Sequence, residues 1–260
     1  MAQGKDSIGQ RSAKPARKAA KPRRTGAPKV HMPEKIAAEI GVEILSGKLK
    51  SKARLATENS ASSKRLVSRP AYREAVRILV AKGLIEAWPG VGTRVASPDA
   101  WHMLDPEVLS WMFAREPRLA SLAALFELRT ILEPQIAALA AQRRTAKQLS
   151  TMGAALDAMA RASMDSEEGR RADEVFHLTL IEASGNPFFR SMSGSVTAAI
   201  AGTMVHKYRA ETLHRDCLPD HMKVFEAVAT GDSEASADAM RNLIGHAFSD
   251  AVEAMPGAAP

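Results

Sequence analysis

From Pro33 the apolar residues Ile36, Ala37, Ile40, Val42 and Leu45 recur at helical spacing, with Pro33 suited to a first turn and Gly47 to a stop. A second, short helix is expected over about Glu58 to Lys64. A third begins at Ser68, whose hydroxyl can cap it, carries Ala71, Ala75, Ile78 and Leu79 on one face, and ends at Gly83. Strand-like residues from Leu84 to Val95 flank Pro89-Gly90-Val91-Gly92, which reads as a short hairpin. Three helices followed by a hairpin make a winged helix-turn-helix. Beyond Pro98 the pattern changes to long amphipathic segments rich in Ala, Leu and Met, punctuated at Pro117, Gly153, Gly169, Gly185-Asn186-Pro187, Pro219 and Gly231. Roughly six or seven helices fit, and the scarcity of β-branched runs favours an all-helical bundle over a sheet. The fold class is therefore mainly α.

Residues 1–30 mix Lys, Arg, Ala, Pro, Gly and Ser with almost no large apolar side chain, so they cannot offset the entropy of ordering. The expected organisation is a disordered basic tail over 1–30, a winged helix-turn-helix over 31–97, a linker over 98–103, a helical domain over 104–254 and a short disordered tail over 255–260. A length of 260 residues suits two domains, each with its own core. No apolar run reaches the roughly 18 residues of a membrane span, and no apolar stretch follows the N-terminal charges as in a signal peptide. A soluble cytoplasmic protein is expected. The one cysteine, Cys217, can form no internal disulfide and no thiolate metal site by itself.

The net charge of +7 is unevenly spread. Residues 1–30 carry nine Lys or Arg against the single acid Asp6, a net +8, which leaves −1 for the rest. Between Lys48 and Arg73 eight cations face only Glu58. Such clusters suit a polyphosphate partner such as double-stranded DNA, although a solvated face has the same composition. In a helix-turn-helix the second helix enters the major groove by its N-terminal end, here Ser68-Arg69-Pro70-Ala71-Tyr72-Arg73. Arg69 and Arg73 lie one turn apart, so one can read a guanine edge while the other grips phosphate, and Ser68 can add a phosphate contact.

Ser46-Gly47, Leu55, Glu58, Val67-Ser68-Arg69, Arg73-Glu74-Ala75, Arg77, Leu79, Lys82-Gly83-Leu84 and Gly92-Thr93 resemble the N-terminal signature of the GntR family of bacterial regulators. The chain departs from it at Lys52, Ala56, Ala61-Ser62 and Leu66. The resemblance implies DNA contacts from Asn59, Ser68, Arg69, Arg73 and Gly90. Downstream, Glu127-Leu128-Arg129, Glu133-Pro134, Asp173, Phe176-His177, Gly185-Asn186, His221, Ala227, Gly231-Asp232 and Met240 resemble the FadR-type (FCD) effector domain of that family. The segment Trp101-His102-Met103-Leu104-Asp105 with Val108-Leu109 and Trp111 is similar to the sugar-acid-responsive branch, the galactonate repressors among them.

Asp173 and His177 are four residues apart, hence on one helical face, and can hold one divalent ion such as zinc through a carboxylate oxygen and an imidazole nitrogen. His221 can supply a third ligand. Metal-binding relatives usually add a histidine 22 residues later, where this chain has Leu243; His246 is the nearby substitute, or an exposed residue. Three protein ligands leave positions that a carboxylate can fill. The alternative is a pair of hydrogen-bonded pocket histidines without metal. Arg129 falls within an apolar pattern and needs a partner, either Glu133 four residues on or the carboxylate of an effector, the latter favoured by the resemblance. The expected protein is a homodimeric, DNA-binding repressor released by a small carboxylate such as a sugar acid, and not an enzyme. The rival is a metal-dependent enzyme using Asp173, His177 and His221; no glycine-rich phosphate loop, nucleophile elbow or HExxH pair accompanies them.

Overall fold

The computed structural model describes residue 1 and residues 32–57, 60, 67–88, 92–209 and 215–255. Residues 1–30 form one unit of the chain and residues 31–260 another, and the account that follows concerns the second. The short helix expected near Glu58 to Lys64 lies mostly outside the described residues.

Helix α1 (Met32–Leu45) buries Ile36, Ala37, Ile40 and Ile44 against α2 (Arg69–Ala81), which contributes Tyr72, Ala75 and Leu79. The Ser68 hydroxyl accepts from the Ala71 amide and caps α2, and Pro70 sits in the first turn where its missing N–H costs nothing. Strands β1 (Ile85–Trp88) and β2 (Gly92–Val95) pair antiparallel with Ile85 opposite Val95 and Trp88 opposite Gly92. The segment before α2 adds to the hairpin, with the Leu55 amide donating to Thr93 and the Val95 amide to Ala53. The Tyr72 hydroxyl donates to the Ala56 carbonyl at 2.8 Å and ties that segment to α2.

The remainder is helical: α3 (Pro106–Phe113), α4 (Leu119–Arg143), α5 (Ala146–Arg161), α6 (Glu167–Ala183), α7 (Pro187–Ser191), α8 (Ser193–Arg209), α9 (Leu218–Thr230) and α10 (Ser233–Glu253). Eight helices among the described residues exceed the six or seven expected. The extra one arises because Asn186 caps a single turn after Gly185, so the punctuation starts a helix instead of a loop. Gly153 and Gly169 lie inside α5 and α6 and break neither; at Gly169 a Cβ would lie 2.3 Å from the Ser163 carbonyl oxygen, so the glycine serves a close approach. Helix α4 packs on α10, α5 on α6, α9 on α10, and α3 on α8.

The stretch from 98 to 103 does not run free. The His102 amide donates to the Lys82 carbonyl, and Lys82 is buried with its ammonium on Asp105 at 2.8 Å and Glu107 at 2.6 Å, at the N-terminus of α3. Burial alone would lower the Lys82 pKa, but its two carboxylate partners raise it above the usual lysine value. Asp105 also caps α3 through the Glu107 and Val108 amides. Gly83 has φ +70°, and a Cβ there would lie 2.0 Å from the Ala100 carbonyl oxygen. Gly83→Ala should therefore cost roughly 2–5 kcal/mol, a fall in Tm on the order of 5–15 °C. Gly92→Ala shares the positive φ but meets nothing within 4 Å, so thermal unfolding should show a clearly smaller loss for it.

Candidate functional site

Two places bring together the residues that the sequence singled out. At the first, Ser68, Arg69 and Arg73 stand exposed around the N-terminal turn of α2. The Ser68 oxygen is occupied by the Ala71 amide, and its hydroxyl hydrogen can still be donated outward. Asn59 and Gly90 lie outside the described residues.

At the second, Asp173 and His177 on α6 meet His221 on α9. One ligand atom from each lies within 4.8 Å of the others, and all three residues are buried. His221 Nδ1 stands 2.9 Å from the Cys217 carbonyl oxygen and donates to it, which leaves the lone pair of the neutral ring on Nε2. That Nε2 is 2.8 Å from Asp173 Oδ1, but it is a buried atom without a properly directed hydrogen bond. Burial alone would push the His221 pKa down; the Asp173 carboxylate and the Cys217 side chain outweigh it and carry the group up to about 10. In Asp173 the cost of burial is outweighed by His221 and His177, so the carboxyl is held below its ordinary value. Burial pushes His177 down despite Asp173 and Glu133, so that ring is neutral at neutral pH.

The set fits a divalent ion: an ionised carboxylate, one neutral imidazole and a second imidazole whose inward nitrogen lacks a well-directed partner. Leu243 stands in the wall of the same cavity, buried. His246 does not join the cluster, because its Nδ1 is engaged with Asp220 Oδ2 at 2.9 Å and its side chain is half-exposed.

Arg129 lines the cavity beside Asp173 and His177 and is buried. Its Nε donates to Glu133 Oε1 at 2.6 Å, so the intrachain partner is present. Glu133 Oε2 also stands 3.5 Å from His177 Nδ1, which links the arginine to the histidine pair. Pro134 cannot bond back to the Thr130 carbonyl, so the α4 ladder is interrupted at the turn carrying these two charges.

Sequence reasoning missed Lys207 on α8, Arg215 ahead of α9 and Asp250 on α10, which line the same cavity. A signal existed. Lys207 follows Ile200 and Thr203, and Asp250 follows Leu243 and Ala247, at helical spacing on inward faces, the cue that singled out Arg129. The space among these side chains that water can enter is about 40 Å³, room for a few waters only.

Residues 33–95 match the family described as bacterial regulatory proteins, gntR family, and residues 124–246 match the FCD domain. The chain is 29% identical over 214 residues to the galactonate operon transcriptional repressor of Escherichia coli K12, covering 81% of this chain and 93% of that one. It is 30% identical to the HTH-type transcriptional regulator LutR of Bacillus subtilis, covering 76% of this chain and 90% of LutR. In fold it is similar to Lar, which controls the Listeria monocytogenes agr system, with a TM-score of 0.60 and 17% identity over 88% of this chain and 99% of that one.

A buried ion pair has a distinctive mutational signature. Glu133→Ala strands the Arg129 charge and should cost roughly 3–5 kcal/mol, whereas replacing both partners by Met and Leu should recover most of that loss. Chemical denaturation of the two variants beside the parent measures both values; equal losses would contradict the pairing.

Proposed function

The chain belongs to the GntR family of bacterial transcription regulators with an FCD domain, and on that premise we propose that it is a repressor released from its operator by a small carboxylate, a sugar acid in particular. It is a DNA-binding regulator and not an enzyme. The observation that carries the effector reading is the cavity in the FCD region, lined by buried Arg129 and the buried Asp173, His177 and His221 set. The name of the galactonate relative supports an acid effector.

In this reading residues 31–97 form the DNA-binding module and 104–254 the effector domain, joined by 98–103; the family matches over 33–95 and 124–246 support two successive modules in that order. Arg69, Arg73 and Ser68 face the major groove, with Asn59 and Gly90 as further contacts, and two copies read the half-sites of a pseudo-palindrome as a homodimer. The basic residues of 1–30 add affinity without sequence preference. Operator binding places the protein in the cytoplasm, and among the described residues no helix is long and apolar enough to cross a membrane.

The residues that would hold a divalent ion are Asp173, His177 and His221; when bound, the ion would offer the effector carboxylate a Lewis-acidic contact. Arg129 orients the carboxylate with whichever N–H groups Glu133 leaves over. A six-carbon acid is larger than the space present, so its entry displaces the wall, of which α8 supplies Ile200, Thr203, Met204 and Lys207. Helix α8 lies against α3, where a Cβ at Gly202 would be 2.3 Å from the Phe113 ring, and the N-terminus of α3 holds Lys82 at the end of α2. Movement of α8 is thereby passed to the recognition helix. The acid acts by preferring the displaced arrangement.

The decisive experiment titrates the protein against DNA from its own upstream region, with and without a panel of sugar acids. Tight, sequence-preferring binding that one acid releases is the expected result; binding that no acid alters would refute the effector mechanism. Arg69→Ala or Arg73→Ala should weaken operator binding by about 1–3 kcal/mol, and loss of sequence preference identifies which one reads a base. Removal of residues 1–30 should lower the salt dependence and leave the preference intact.

Metal uptake carries its own signature. His221 must lose a proton to bind, so Zn²⁺ affinity of the metal-free protein should rise roughly tenfold per pH unit below the His221 value of about 10, and fall away in His221→Gln. Calorimetry in buffers of different ionisation enthalpy counts the released proton; no release together with unchanged affinity in His221→Gln would exclude His221 as a ligand.

A further inference from the structure

Resting on the effector reading above, we propose that Lys207, Asp250 and Arg215 form a second subsite in the cavity that selects a monocarboxylate bearing a hydroxyl at its far end and rejects a dicarboxylate. The three line the cavity together with Arg129 and the Asp173, His177 and His221 set, so one ligand meets both groups.

The charges of this subsite are already matched. Lys207 Nζ stands 2.8 Å from Asp250 Oδ2, Arg215 Nη2 is 3.4 Å from the same oxygen, and Arg215 Nη1 is 2.5 Å from Asp220 Oδ2 behind it. Among the described residues two cations thus face two acids, and half-exposed His246 reaches the same Asp220 oxygen as Arg215. Lys207 and Asp250 are largely withdrawn from water, with side chains 6% and 12% exposed. Among the described residues no unmatched cation stands there, so a second ligand carboxylate would enter against the Asp250 charge with none to receive it.

A hydroxyl meets no such penalty. Lys207 Nζ donates to Asp250 and to the Arg215 carbonyl at 3.2 Å, which uses two of its three N–H groups. Among the described residues Asp250 Oδ1 receives the Arg215 Nε contact at 3.4 Å alone and retains a lone pair. One group that accepts from Lys207 and donates to Asp250 completes both, which describes an alcohol. The apolar Ile200, Met204, Leu243 and Ala247 fill the rest of the wall and offer a second charge nothing.

The test uses the full-length protein and two pairs of acids that differ only in oxidation at C6: D-galactonate with galactarate, and D-gluconate with D-glucarate. Hexanoate serves as the acid without hydroxyls. Calorimetric titration should give at least one hexonate a Kd tenfold or more below that of its dicarboxylate. Asp250→Asn should shrink or reverse that ratio by improving the dicarboxylate, and Lys207→Met should weaken the hexonate at least tenfold. Should Asp250→Asn fail to fold, Lys207→Met/Asp250→Asn removes both members of the pair and should abolish the discrimination. Equal binding within both pairs, or an unchanged ratio in the Asp250 variants, overturns the proposal. Binding of hexanoate as tightly as a hexonate overturns it while leaving the carboxylate effector in place; binding of none of the five acids removes that effector reading and the subsite with it.

Discussion

A charge placed at the centre of a helical bundle has to be matched, and here the matching dictates where the helices sit. Arg129 is held by Glu133, Glu133 reaches His177, and Asp173 lies between His177 and His221. These residues come from α4, α6 and α9, so the polar chain fixes three helices relative to one another in a way that apolar packing alone would leave degenerate. Phe176 packs edge-on against both histidine rings and keeps the chain dry. The same dryness makes each carboxylate and imidazole sensitive to an entering ion or anion.

A second matched charge stands at the joint between the recognition helix and the bundle. Lys82 closes α2, and its two acids open α3, so a single buried ammonium spans the elements that carry the two tasks. The same ammonium lies 5.4 Å from the centroid of the Trp111 ring, against which Gly41 of α1 also packs. The linkage is short and stiff: ion pair, glycine contacts and one backbone bond from His102 to Lys82.

Much of this was legible in the sequence because its causes are local. The 3.6-residue spacing of Ile36, Ile40 and Leu45, the serine ahead of Arg69 and the glycines at 47 and 83 act within a turn or two, and α1, α2 and the hairpin follow them. Asp173, His177 and His221 could be paired because two share a helix face and the third follows from family resemblance. Lys207 and Asp250 each carried the local cue of a charge on an apolar face, but that they meet each other and Arg215 depends on how α8 and α10 cross, which no local period encodes. Of the two readings open for His246, the exposed one matches the structure: its side chain is half-exposed and its ring meets Asp220, distant in sequence but adjacent in space. The residues near Glu58 and Gly90 remain expectations, since they fall outside the described part of the chain.

The glycines at 41, 83 and 202 lie where a Cβ would meet Trp111, the Ala100 carbonyl and Phe113 respectively, all within 2.3 Å or less. All three belong to the path between reading head and bundle, and none of them lines the cavity or the exposed N-terminal turn of α2. Heritable variation is thus partitioned. On the proposed reading, substitutions at the cavity wall or the exposed turn of α2 alter what is sensed or what is read, while the stiff joint between them tolerates almost none. Under the proposed function, a lineage carrying this chain can acquire new inducers and new target genes independently, keeping one inherited transmission.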